Sequence, residues 1–421
     1  MLPAPLIAGA RRKVLIVAEA VTLAHIARPL ALAAALDPRL YELTLACDKA
    51  CNWLLANCPF RLRPIHSISS ASFLQSLARG SPVYDAKTLR GYVAEDLALI
   101  DEVKPDLIVG DFRLSLSVSA RLAKIPYAAL SNAYWSPYRR PQYVVPSLPM
   151  TKFLPIGVAA ALFATVRPLA FALHTRPLNK VRNEFGLTSL GWDLRRTYTD
   201  ADFVLYADAP EFFPLSGQPA SHQYLGPIIW SPPTPRPAWW NDIPEDLPLV
   251  YVSLGSSGQA RLLPAVLGAL AKLPVRALVA TAGARLGGAH PPNLYLEDYL
   301  PGDAAARRAR LVICNGGSPT SHQALIAGVP VIGIAGNLDQ FLNMSAVVGI
   351  RAGETVRADR FDPQQLCQIV QRVLANSSYA EGASTAAAWL GKHCATRRFE
   401  SFVHDLLHPA SAARQEKASK K

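Results

Sequence analysis

The chain has 421 residues, half of them hydrophobic and 18% charged, which excludes a disordered polymer. That length exceeds the size at which one hydrophobic core usually stops growing, so two domains are expected. The net charge of +12 favours an anionic partner (a phosphorylated small molecule, an acidic membrane surface or nucleic acid) without choosing among them.

In MLPAPLIAGARRK the apolar stretch precedes the basic group, the reverse of a secretory signal, so none is expected. KVLIVAEA (13–20) reads as a buried parallel strand, and the following VTLAHIARPLALAAAL as a helix with Leu23, Ile26, Ala27, Leu30 and Ala34 on one face. YELTLAC is a second strand. DLALIDEVKPDLIVGDF runs from helix into a strand that stops at Asp111, and LSVSARLAKIPYAAL repeats helix then strand. The apolar run 153–173 contains Pro155, Arg167 and Pro168. An arginine in mid-bilayer costs roughly 2.5–3.5 kcal/mol or more, so one or two buried or surface-facing helices are predicted rather than a membrane span. DFVLYAD (202–208) is another strand. The proline-dense stretch 226–248 can hold neither helix nor central strand and reads as a linker.

The rhythm then restarts. LVYVSLGSSG (249–258) is a strand ending in a glycine turn, followed by a helix over about 262–272 and the strands VRALVATAG and NLYLEDYLP. RLVICNGG opens into a second glycine turn, SHQALIAG is a helix, and VPVIGIAG a strand. Each half is therefore an α/β doubly wound parallel sheet of the nucleotide-binding kind, with a cleft between them. Boundaries are expected at 1–225, 226–248, 249–390 and 391–421. The last is a helix returning towards the first domain, with a frayed basic tail.

Ligands in such sheets bind beyond the carboxyl ends of the strands. Four loops lie there. Two are the small-residue turns 255–258 and 315–325, whose outward N–H groups and helix dipole suit a diphosphate; neither is a P-loop or a GxGxxG. The third, 335–344, sets Asp339 beside Gln340, a donor–acceptor pair suited to sugar hydroxyls. The fourth carries His25 between strand and helix. Asp111, ending another strand of the same sheet, can hold one imidazole nitrogen and leave the other as a general base. The six cysteines show no CxxC or zinc spacing and fit a reducing, cytoplasmic setting.

These pieces, in this order, resemble the family 1 GT-B glycosyltransferases, which include bacterial macrolide-type and UDP-sugar enzymes. TLAHIARPLALAAAL is similar to the family's GHxxP element, and PDLIVGDF to the strand ending at its aspartate. YLEDYLP followed by VICNGGSPTSHQALIAGVPVIGIAGNLDQFLNM resembles the donor signature HGGxGTxxEALxxGVPxxxxPxxxDQxxNA. The resemblance implies two Rossmann-like domains facing each other across a cleft, and inverting transfer of a sugar from a UDP or dTDP donor to a hydroxyl. His25 would be the base, oriented by Asp111. N–H groups of Gly316, Gly317, Ser318 and Thr320, with the hydroxyls of Ser256 and Thr320, would hold the diphosphate, Tyr299 would stack on the base, and Asp339 and Gln340 would bind the sugar. The family's phosphate-contacting His is Asn315 here, its ribose-binding Glu is Gln323, a glycine is Pro319, and a Gln is Gly302. No metal or other cofactor is expected.

Tyr134, Trp135 and Tyr138 follow a strand and, with the apolar run, suit a hydrophobic natural-product or lipid acceptor. Basic groups at 11–13, 139–140 and 307–310 leave peripheral contact with the inner face of a membrane open. No RNP, KH or helix-turn-helix pattern appears, so nucleic acid is not an expected partner. The alternatives on the same scaffold are a lipid-linked glycan transferase, a nucleotide-sugar epimerase and a non-catalytic helper protein.

Overall fold

In the computed structural model, residues 10–51, 54, 58–255, 260–284, 286–287 and 290–409 are described. The first half forms a seven-stranded sheet of β1 (Arg12–Ala18), β2 (Tyr41–Cys47), β3 (Arg61–Pro64), β4 (Leu107–Asp111), β5 (Tyr127–Ser131), β6 (Phe203–Tyr206) and β7 (His222–Tyr224). Its order is β3-β2-β1-β4-β5-β6-β7 and every pairing is parallel. The second half holds β8 (Leu249–Ser253), β9 (Arg276–Ala280), β10 (Leu294–Glu297), β11 (Leu311–Cys314), β12 (Val331–Ala335) and β13 (Gly353–Arg357), ordered β10-β9-β8-β11-β12-β13 and again parallel. Helices cover both faces, which is why β1, β4, β8 and β11 read as nearly unbroken apolar runs.

Strand order reverses between β1 and β4 in one sheet and between β8 and β11 in the other. At each reversal the flanking loops diverge to opposite faces and leave a crevice. The two crevices face each other and merge into one cavity of about 940 Å³ lined from both halves. Between Gly226 and Pro248 the only regular element is the short 3-10 turn Ala238–Asn241. The Ala395–Leu407 helix crosses back, and its Phe399, Phe402, Val403 and Leu407 sit in the core beneath β1, β2 and β4.

Beyond Phe153, which ends the short helix Pro149–Phe153, and the N-cap Pro155, the apolar run lies in one helix, Ile156–Glu184, which continues through both Pro168 and Pro177. Each proline denies a hydrogen bond to the carbonyl four residues earlier. Those carbonyls belong to Ala164 and Leu173, both exposed, where water can serve them. The helix after β8 runs over Leu263–Leu270, shorter than the expected span, with a 3-10 turn at Ala260–Leu262 in front of it.

Because Phe399 is fully buried, Phe399→Ala should destabilise the protein by about 3–5 kcal/mol. Thermal unfolding should show a matching fall in Tm. An unchanged Tm would mean that the returning helix contributes nothing to the first core.

Candidate functional site

The register of the first sheet brings the two sequence-predicted groups together. Ala18 at the end of β1 pairs with Asp111 at the end of β4, and the Ala24–Ala33 helix begins just beyond. His25 Nδ1 lies 2.8 Å from Asp111 Oδ1. Phe112, the next residue after Asp111, has φ of +60°, an unusual backbone for a non-glycine residue, and lays its ring on the imidazole at 4.7 Å and 19°. His25 lines the cavity with Nδ1 engaged, so Nε2 is the ring nitrogen available to a substrate.

Sequence reasoning missed the third member of this group. Arg28, one helical turn after His25, is buried and grips Asp111 with both arms, Nε to Oδ2 at 2.9 Å and Nη2 to Oδ1 at 2.7 Å. Burial opposes ionisation of Asp111, but Arg28, and then His25, hold its carboxyl below the ordinary range. Arg28 Nη1 also donates to Asn132 Oδ1 at 2.7 Å. Asn132 in turn donates to Asp208 (3.1 Å to Oδ2) and to Ser318 Oγ (3.4 Å) in the other domain. A polar chain therefore runs from the imidazole to the helix start of the second sheet. The signal was present: Arg28 shares a helical face with His25, and Asp208, like Asp111, stands at the carboxyl end of a strand.

On the opposite wall, Asn315, Gly317, Ser318, Pro319 and Thr320 reach the cavity. The Ser318–Ile326 helix aims its N-terminus there, and Ser318 and Thr320 supply first-turn N–H groups. Two of the four expected donors are otherwise engaged. Gly317 N–H donates to Asn315 Oδ1 at 2.9 Å, closing a tight side-chain turn, and Gly316 N–H donates to Cys314 Sγ. Gly316 lies behind the cavity, where its φ of +80° and the neighbouring Met344 exclude a side chain. Ser256 falls outside the described residues.

Tyr299 is half-buried on the cavity wall. Gln323 has a different task from the one its place in the motif suggests. Its Nε2 donates to Trp230 O at 2.7 Å and to Ser231 Oγ at 3.1 Å, tying the donor wall to the linker. Gly302 makes room for it, since a Cβ there would stand 3.0 Å from Gln323 Oε1. The two departures from the motif are thus one packing change.

Asp339 lines the cavity in the first turn of the Leu338–Gly349 helix and accepts a hydrogen bond from Trp135 Nε1 of the first domain at 2.8 Å. Gln340 also borders the cavity, but its Oε1 accepts from Gly336 and Asn337 N–H groups in a capping box. Both lone pairs are used, so that oxygen cannot accept from a sugar hydroxyl. Of the three aromatic residues predicted for the acceptor side, only Trp135 borders the cavity. Tyr134 is buried in the core against Phe213, because the Ala133–Trp135 turn points adjacent residues in different directions. Tyr138 packs edge-on to His222 at 5.1 Å, outside the cavity.

The fully buried Asp208 accepts from Ala133 N–H at 2.6 Å and stands 3.7 Å from His322 Nε2. Burial pushes Asp208 up to about 7, while burial and then Arg28 push His322 down to about 4. Between about pH 4 and about pH 7 the folded chain keeps a proton on Asp208 that the unfolded chain has released. That contribution is full below pH 4 and is lost as pH rises through 7, at up to about 1.4 kcal/mol per pH unit. Relative to Asp208→Asn, the Tm of the parent protein should therefore fall across this window and level off above it. Parallel Tm curves for the two proteins would remove Asp208 as a titrating group.

Comparison with known proteins fits this geometry. Residues 264–394 match the family model for the erythromycin biosynthesis protein CIII-like C-terminal domain. A PGL/p-HBAD biosynthesis rhamnosyltransferase of Mycobacterium bovis (strain BCG / Pasteur 1173P2) is 51% identical over 92% of this chain and 86% of its own. A PGL/p-HBAD biosynthesis glycosyltransferase of Mycobacterium tuberculosis (strain ATCC 25177 / H37Ra) is 48% identical over 90% and 89%. Among solved structures, the calicheamicin glycosyltransferase CalG4 shares the fold with a TM-score of 0.67 at 17% identity, covering 95% of this chain and 99% of its own. The spinosyn rhamnosyltransferase SpnG complexed with thymidine diphosphate shares it with a TM-score of 0.65 at 18% identity, covering 91% and 98%. With two facing parallel sheets, a paired imidazole on one and a helix N-terminus on the other, and a relative identical at half its positions, this chain belongs to the family 1 GT-B glycosyltransferases, enzymes that move a sugar from a nucleotide donor to a hydrophobic acceptor.

Proposed function

We propose that this chain transfers rhamnose, with inversion, from dTDP-rhamnose to a hydroxyl of a lipid-like acceptor. The observation that carries the chemistry is His25, fixed by Asp111 and Phe112 with Nε2 towards a cavity that also receives a helix N-terminus. Nε2 takes the proton of the acceptor hydroxyl as its oxygen attacks the anomeric carbon. The bond from that carbon to the diphosphate breaks on the opposite side. Asp111, kept ionised by Arg28, accepts the Nδ1–H hydrogen bond and stabilises the imidazolium. Charge growing on the departing diphosphate meets the N–H groups of Ser318 and Thr320. We assign this charge stabilisation to the protein alone, without a metal.

The rhamnosyltransferase relative at 51% identity supports rhamnose as the sugar. Gln323 supports the choice of dTDP: a deoxyribose lacks the 2′-hydroxyl that a carboxylate would grip, and Gln323 is committed to the linker. The size of the cavity and its apolar side chains, Phe73, Leu77, Val83, Leu148, Phe163 and Phe171 among them, favour an acceptor carried on an apolar chain. The PGL/p-HBAD biosynthesis named for both relatives supports the same class. The free cysteines fit a cytoplasmic enzyme, with peripheral contact at the inner membrane face where such an acceptor resides.

Thermal-shift measurements across dTDP- and UDP-sugars should favour dTDP; at a hundredfold excess over Kd a ligand stabilises by about 2.7 kcal/mol. Equal or larger shifts with UDP would overturn the nucleotide assignment. With dTDP-rhamnose and an alkylated phenol or alkyl glycoside as acceptor, His25→Ala should lower kcat roughly 10²- to 10⁴-fold while leaving the donor-induced shift intact. Arg28→Lys, which breaks the two-armed grip, should cost up to roughly 10²-fold in kcat through misplacement of the dyad. Parent-like turnover by the His25 variant would refute the base assignment.

A further inference from the structure

The Ile156–Glu184 helix carries an exposed apolar stripe that the reaction does not use. At about 100° per residue, Val158, Leu162, Val166, Leu169 and Leu173 fall within an arc of about 80°. All are exposed, Leu169 by 63% and Val158 by 53%, and Phe153 just before the helix is 86% exposed. It is the one described helix long and apolar enough to cross a bilayer. Its other face is nevertheless packed on the protein: Leu178 and Val181 against Leu89 and Val93, and Ala159 and Phe163 against Val145 and Leu338. It therefore lies along the surface.

We propose that this stripe docks on the anionic lipid surface from which the acceptor is drawn, and that the acceptor enters sideways between the helix and the cavity. The inference rests on the lipid-like acceptor of the reading above. Three observations carry it. First, the stripe and the cavity share a border, since Leu162 and Val166 are exposed on the stripe and also line the cavity. Second, a track of rings leads inward from the helix to the base. Phe171 lies 6.5 Å from Trp135, Trp135 5.2 Å from Tyr198, Tyr198 5.6 Å from Phe112, and Phe112 4.7 Å from His25. All five border the cavity, so a continuous run of ring faces connects the helix to the imidazole.

Third, the charge pattern fits an anionic surface. From Pro149 to Asn183 there is no acidic residue, and the helix's single acid, Glu184, is ion-paired with Arg90. Lys152 before the stripe, and Arg176 and Lys180 beyond it on the same arc, are exposed cations, the arrangement of a helix seated in a headgroup layer. The basic clusters singled out from sequence are differently engaged: Arg12 pairs with Asp106, Arg307 with Asp303, and Arg139 reaches Pro214 O.

Co-sedimentation with vesicles of phosphatidylcholine, with and without phosphatidylglycerol, tests the proposal. The parent protein should bind the anionic vesicles and lose roughly tenfold in binding on neutral ones. The triple variant Phe153→Ser, Val158→Ser and Leu169→Ser changes no residue that lines the cavity. It should stay in the supernatant, keep its Tm, turn over a soluble short-chain acceptor as the parent does, and lose turnover of a long-chain acceptor presented in vesicles. A parent protein that ignores vesicles, or a variant that binds them equally well, overturns the proposal. So does a dimer in the ultracentrifuge that the variant abolishes without any vesicle binding, since a second copy would then cover the stripe. Failure of the acceptor reading is distinguishable, because the soluble acceptor would then be inert with both proteins.

Discussion

A carboxylate with no exposure to solvent stays ionised only where a cation answers it, and in this molecule that requirement organises the site. Asp111 stands at the reversal point of the first sheet, and Arg28 meets it with two parallel hydrogen bonds. The pair keeps Asp111 charged, and a charged Asp111 holds the imidazole of His25 in one orientation. The remaining arm of Arg28 reaches Asn132, and through it Asp208 and Ser318. The group that would receive the proton and the helix that would receive the leaving charge are therefore positioned by one buried network spanning both domains.

The donor wall shows a related economy. Three amide side chains line this wall, two of them (Asn315 and Gln323) where the motif has His and Glu, and the structure gives each a local task. Asn315 closes the turn before the helix, Gln323 anchors the linker in space vacated at Gly302, and Gln340 caps the loop beside Asp339. In the proposed reaction, recognition would then fall to backbone N–H groups, to the Tyr299 ring and to Asp339. The Trp135 indole already occupies one oxygen of Asp339 from across the cleft. Trp135 thus touches both domains, bonded to Asp339 on one side and in ring contact with Phe171 and Tyr198 on the other.

The acceptor side is built mainly by the long Ile156–Glu184 helix and the segment before it. That segment is bound to the donor domain: Ser147 N–H donates to Gly336 O, Arg357 to Val145 O, and Arg360 to Thr151 O. The same stretch of chain therefore borders the apolar entrance and leans on the loop that presents Asp339.

The chain order of apolar runs and turn residues was enough to predict two doubly wound sheets and a helix N-terminus after β11, and to bring His25 and Asp111 to the same sheet edge. Strand and helix periodicity are local, and the carboxyl ends of parallel strands converge by topology alone. What only the tertiary structure decided is which polar groups are already spent. Nothing local shows that Arg28 shares Asp111, that Gly317 N–H and Gln340 Oε1 are used internally, or that Tyr134 turns into the core while Trp135 turns into the cavity. Nor does periodicity reveal that a proline-bearing apolar run forms one continuous helix with a bare face, because exposure depends on what the rest of the chain leaves uncovered. Hydrogen-bond partners and burial are relations between distant segments, and they exist only once the chain has folded.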